Sequence, residues 1–189
     1  MLKSGWYVFF RLIFFIKHNL SNQTGPADYL LKTSTGTVNV HPIGVSVLLF
    51  PFFIIAYLFA SIFRFTIDGY SLPFQISVSV AGLFYCILGL VFLVKLLRLN
   101  SFSDKIISIV LLIIFFGTNL IHYTLSEAGM SHVYSFSLIS IFLFHSANFI
   151  QHQRNFSLII SFLMLAIIFL VRPNNILILF SVFIWFKNF

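Results

Sequence analysis

Long apolar runs, nearly free of charge and separated by short polar breaks, constrain this chain more than any other feature. Residues 43–63, 73–94, 106–125 and 131–150 are predominantly apolar over about 20 positions each, the length a helix needs to cross a bilayer. The run 157–171 is a little shorter, and 176–186 amounts to half a span. Composition gives the reason these runs belong in lipid. The chain of 189 residues holds 11 Lys+Arg and 4 Asp+Glu against 27 Phe, with 8% charged residues and a mean hydropathy of +1.05. A soluble domain carries roughly a quarter charged residues. Too few charges remain to coat a water-facing surface, which excludes a cytosolic enzyme, a secreted disulfide scaffold and a disordered tail. The expected fold is all-α: a polytopic transmembrane helical bundle with about five full spans, a partial sixth and an N-terminal interfacial helix. Residues 1–189 read as one membrane domain, with 43–189 as the transmembrane bundle.

The remaining segments are read in turn. In residues 1–20 the apolar stretches are cut by Lys3, Arg11 and Lys17, so an interfacial or degenerate first helix fits better than a span. A signal peptide would keep its apolar core unbroken and end in small residues. Residues 21–42 are the long polar segment, punctuated by Gly25-Pro26 and Gly36, and read as a loop. The lone Cys86 lies inside an apolar run, so no intrachain disulfide forms. The net charge of +7 comes from scattered basic residues rather than one basic face, which argues against nucleic acid. A sixth span ending half-way at Phe189 makes the chain read as a fragment.

Ionisable residues near membrane depth are functional candidates because burying them costs free energy. Asp28 and His41 lie in the long segment, Arg64 and Asp68 in the connection after the first clear span, and Glu127 and His132 beside the tight turn 126–130. Glu127 is the single Glu of the chain. It reads either as a solvated carboxylate near a helix N-terminus or as one of three groups, with His122 and His132, converging at one membrane face. Their spacings match no metal motif, so no metal ligands are assigned. Arg172-Pro173 puts an arginine at a helix end, because proline stops the helix and biases the residue before it away from α geometry. Its planar fork suits a phosphate, and a snorkelling anchor is the alternative. His145 and His152 read as interfacial.

Four stretches in order carry a resemblance: Asn39-Val-His-Pro-Ile-Gly-Val-Ser, Asp68-Gly-Tyr-Ser, Gly117-Thr-Asn-Leu-Ile-His-Tyr-Thr-Leu-Ser-Glu-Ala-Gly-Met-Ser-His, and Arg172-Pro-Asn-Asn. Together they resemble the N-terminal half of bacterial GT-C class polytopic membrane glycosyltransferases of the dolichyl-phosphate-mannose–protein mannosyltransferase type. The resemblance implies a hexosyltransferase of the cytoplasmic (inner) membrane, with membrane lipids and a polyprenyl-phosphate-linked sugar donor as partners. It implies that a loop carboxylate acts as base or holds a divalent cation, and Asp28 is the carboxylate the loop offers. It implies that His41, Glu127, His132, Arg172 and Asn174 bind substrate. The acidic residues expected near the chain start are absent: Ser4-Gly5 and His18-Asn19-Leu20 stand in their places. The chain alone is therefore expected to be inactive. A transporter or permease fragment, or a non-catalytic membrane scaffold, is the alternative.

Sidedness gives two answers. Alternating spans place Lys95, Arg98, Lys105, Arg154 and Lys187 on one side and Arg64 and Arg172 on the other; the positive-inside rule makes the first side cytoplasmic, and the loop 18–42 falls there too. The resemblance places that loop outside.

Overall fold

A computed structural model describes residues 30–33, 36–39, 43–69 and 71–182. The N-terminal interfacial helix, Asp28, His41 and the end of the sixth apolar run lie outside the described residues. Among the described residues six α-helices follow a short hairpin: α1 (Gly44–Ile62), α2 (Leu72–Leu99), α3 (Asp104–Gly117), α4 (Leu120–Leu125), α5 (Ser131–His152) and α6 (Asn155–Val171). A 3-10 helix, Pro173–Ile178, comes after them. Among the described residues three helices, α1, α2 and α5, are long and apolar enough to cross a membrane. The chain is thus a helical membrane protein.

The structure corrects the sequence reading at three places. The segment 21–42 is not loop throughout: β1 (Leu30–Thr33) and β2 (Gly36–Asn39) pair antiparallel, with Leu30 opposite Asn39 and Thr33 opposite Gly36. Thr33, Thr37 and Val38 are β-branched and favour the extended chain. The run 106–125 is broken into α3 and α4. Thr118 is extended there (φ −116°, ψ 174°), and its hydroxyl bonds the Ile114 carbonyl while accepting from the Leu120 amide at 3.2 Å. The local hydroxyl bonds compete with the helical ladder and turn it. The last apolar helix starts at Pro173 rather than 176, because proline is suited to a first helical turn. Among the described residues α3, at 14 residues, and α6, at 17, are shorter than the three helices long enough to cross.

Side-chain contacts fix the directions. Gly82 faces Ala128, the Tyr85 and Tyr134 rings meet at 5.2 Å, and Phe92 meets Phe144 at 5.6 Å, so α2 and α5 run the same way. The chain returns between them through α3 and α4. Against α5, α6 runs back, joined by Asn148 Nδ2 donating to Ser157 Oγ at 2.7 Å and by the Ser146–Ser161 hydroxyl pair at 3.3 Å. Small residues make these approaches close. A Cβ on Gly89 would lie 2.6 Å from the Phe136 ring, and on Gly44 it would run into the backbone of Leu170 and Val171. The shared core contains Leu48, Cys86, Leu120, Val133, Tyr134, Leu138, Phe142, Ile168 and Val171. Facing outward are large apolar side chains such as Ile55, Ile62, Ile113 and Phe162, as lipid-facing helices require.

One offset positions the site. Helix α1 meets α2 through Phe53–Phe74 and Leu48–Tyr85, along the first half of α2, whereas α5 meets it from Gly82 onward. At 28 residues α2 is about 42 Å long. The turn before α5 and the end of α6 therefore sit part-way along α2, beneath a wall formed by α1 and the first turns of α2.

Candidate functional site

Beneath that wall lies a cavity of about 740 Å³, within the few-hundred to thousand Å³ range of small-molecule sites. Val45, Leu49 and Phe53 of α1 and Phe74 and Val78 of α2 supply apolar sides. Gly129, Met130, Ser131 and His132 come from the start of α5 and the turn before it, Arg172 from the end of α6, and Asn174 and Asn175 from the 3-10 helix after it. Each polar contribution has a local cause. Pro173 ends the ladder of α6, leaving Arg172 extended (φ −153°, ψ 109°) so that its side chain leaves the helix axis. The turn 126–130 is closed by the Ser126 and Glu127 amides on the His122 carbonyl and by the Met130 amide on the Glu127 carbonyl. From behind, the buried Tyr134 hydroxyl donates to the Ala128 carbonyl at 2.7 Å.

Arg172 Nη1 lies 3.3 Å from His132 Nδ1. A guanidinium only donates, so Nδ1 accepts and the imidazole is neutral with its proton on Nε2. The ring is also held by stacking on Tyr123, centroids 4.0 Å apart at 19°. Asn175 Nδ2 donates to Ser135 Oγ at 2.9 Å, fixing the first turn of the 3-10 helix on α5. Neither ion pair among the described residues involves Arg172. Its charge is available to an anion, and a planar fork matches a phosphate or carboxylate.

Of the residues singled out from sequence, His132, Arg172 and Asn174 line the cavity together. Glu127 does not. Its carboxylate lies 3.8 Å from His122 Nε2, both side chains about half exposed. Among the described residues no group of three His, Cys, Asp or Glu is placed to hold a metal ion. Sequence reasoning missed Tyr123 and Ser135, whose contacts cross a turn or join helices 40 positions apart. Asn175 was visible in the Arg172-Pro-Asn-Asn stretch but carried no spacing signal.

The structure also bears on the segment before α1. Gly44 is pressed against Leu170 and Val171, next to Arg172, so the chain enters α1 on the cavity side of the bundle. Comparison with family models, with curated proteins and with solved structures found no match.

Proposed function

We propose that this chain is a membrane glycosyltransferase, or a truncated remnant of one, that takes a polyprenyl-phosphate-linked sugar. The observation that carries the reading is Arg172: an exposed cation without a carboxylate partner among the described residues, on the polar floor of a cavity whose sides are the apolar faces of α1 and α2. Such a site suits an amphipathic anion. Its phosphate meets the guanidinium, its isoprenoid tail lies along the lipid-facing wall, and the sugar is left for Asn174, Ser131 and the Gly129 turn. In this reading α3–α4 and α6 complete five crossings with the three long helices, and Asp28 is the base toward the acceptor. A transporter would place charges at mid-depth on broken helices. The break at Thr118 supplies hydroxyl and amide groups there but no charge.

A photoreactive polyprenyl-phosphate sugar in proteoliposomes tests this. Cross-links are expected at Val45, Leu49 or Val78, and lost in Arg172→Gln. Labelling spread over lipid-facing residues of α3 and unaffected by Arg172→Gln would overturn it.

A further inference from the structure

The parallel course of α2 and α5 gathers charges that are scattered in sequence. Lys95 and Arg98 lie in the last turns of α2, Lys105 in the first turn of α3, and Arg154 caps the start of α6 just after α5 ends. All four are exposed. Phe92 against Phe144 and His145, and Asn148 against Ser157, hold these termini at one end of the bundle. Asp104 is the one acidic residue among the described residues there, and Arg98 meets it at 3.4 Å with both side chains open to solvent. At the cavity end, by contrast, Arg64 and Arg172 are matched in number by Asp68 and Glu127. The described charge is therefore polarised along the bundle axis.

We infer that the end carrying Lys95, Arg98, Lys105 and Arg154 docks on the anionic phospholipid headgroups of the cytoplasmic leaflet, so that the cavity floor at the start of α5 and the end of α6 faces the opposite side. The occupant follows from chemistry. These side chains edge helices with apolar outer faces, which places them at headgroup depth, and the Lys95 ammonium lies 4.7 Å from the Phe92 ring centre as its stem runs along the apolar helix. Each basic group near an anionic surface adds attraction, and excess Lys and Arg mark the cytoplasmic side. The inference stands independently of the glycosyltransferase reading and needs only a membrane protein.

The native lysines serve as probes. In spheroplasts of bacteria expressing the full chain, a membrane-impermeant amine reagent is expected to reach Lys95 and Lys105 only after lysis. Modification of Lys95 and Lys105 in intact spheroplasts would overturn the orientation. Lipid preference is read by native mass spectrometry with equal phosphatidylglycerol and phosphatidylcholine. The wild-type chain should retain phosphatidylglycerol several-fold over phosphatidylcholine. The preference should vanish in K95Q/R98Q/K105Q/R154Q and persist in Arg172→Gln. An undiminished preference in the fourfold variant, or none in the wild type, would overturn the docking surface.

Discussion

His132 accepts a hydrogen bond from Arg172 through Nδ1 at 3.3 Å, which fixes the imidazole as the Nε2-protonated tautomer at the floor of the cavity. Protonating that ring converts the acceptor into a second donor and sets two cations against each other. Imidazole 15N shifts of His132 should therefore show a pyridine-type Nδ1 at alkaline pH. Once the ring is protonated, the contact with Arg172 should be lost. A pyrrole-type Nδ1 at alkaline pH would contradict the geometry.

Gly44 is predicted to be intolerant of any side chain. Its Cβ would overlap the backbone of Leu170 and Val171, which cannot swing away as a side-chain tip does. Gly44→Ala should cost about 1–3 kcal/mol in detergent unfolding, the usual range for overpacking. Gly117→Ala, with its nearest neighbour at 3.5 Å, should be close to neutral. Equal stability of the two variants would show that α1 and α6 are not packed this closely.

Tyr134→Phe removes the donor that satisfies the Ala128 carbonyl in a fully buried setting. The unpaired carbonyl should cost about 1–3 kcal/mol, and amide exchange should quicken in the turn 126–130 before it does elsewhere in α5. Unchanged exchange in that turn would mean that other bonds hold it.

Reading the sequence went furthest where a single property decides the outcome. Length and apolarity placed α1, α2 and α5 within a few residues, because a helix that keeps its backbone bonds internal is the cheap solution in lipid. Thr118 escaped notice, since one hydroxyl competing with the ladder leaves no mark on hydropathy. The hairpin at 30–39 was hidden for a similar reason: four-residue strands are too short for alternation to stand out. At the site, Arg172-Pro173 announced a helix end, but nothing in the sequence brought it to His132, 40 positions away. The offset of α1 along α2, which creates the cavity, depends on which small residues meet which partners, and apolar periodicity does not encode that.

Asn148 and Ser157 offer a test of the α5–α6 pairing. A double-mutant cycle with Asn148→Ala and Ser157→Ala should give a coupling of about 0.6 kcal/mol, the average for interhelical bonds in membranes at a contact of 2.7 Å. Strict additivity would separate the two helices at this point.

The central claim is that Arg172 holds the phosphate of an isoprenoid-linked donor, and equilibrium binding of a polyprenyl-phosphate sugar to the full chain in vesicles tests it most directly. Losing a charge-assisted contact should weaken binding by about tenfold or more in Arg172→Gln, while Lys105→Gln, at the other end of the bundle, should bind as the wild type does. Equal affinity of Arg172→Gln and wild type would contradict the account.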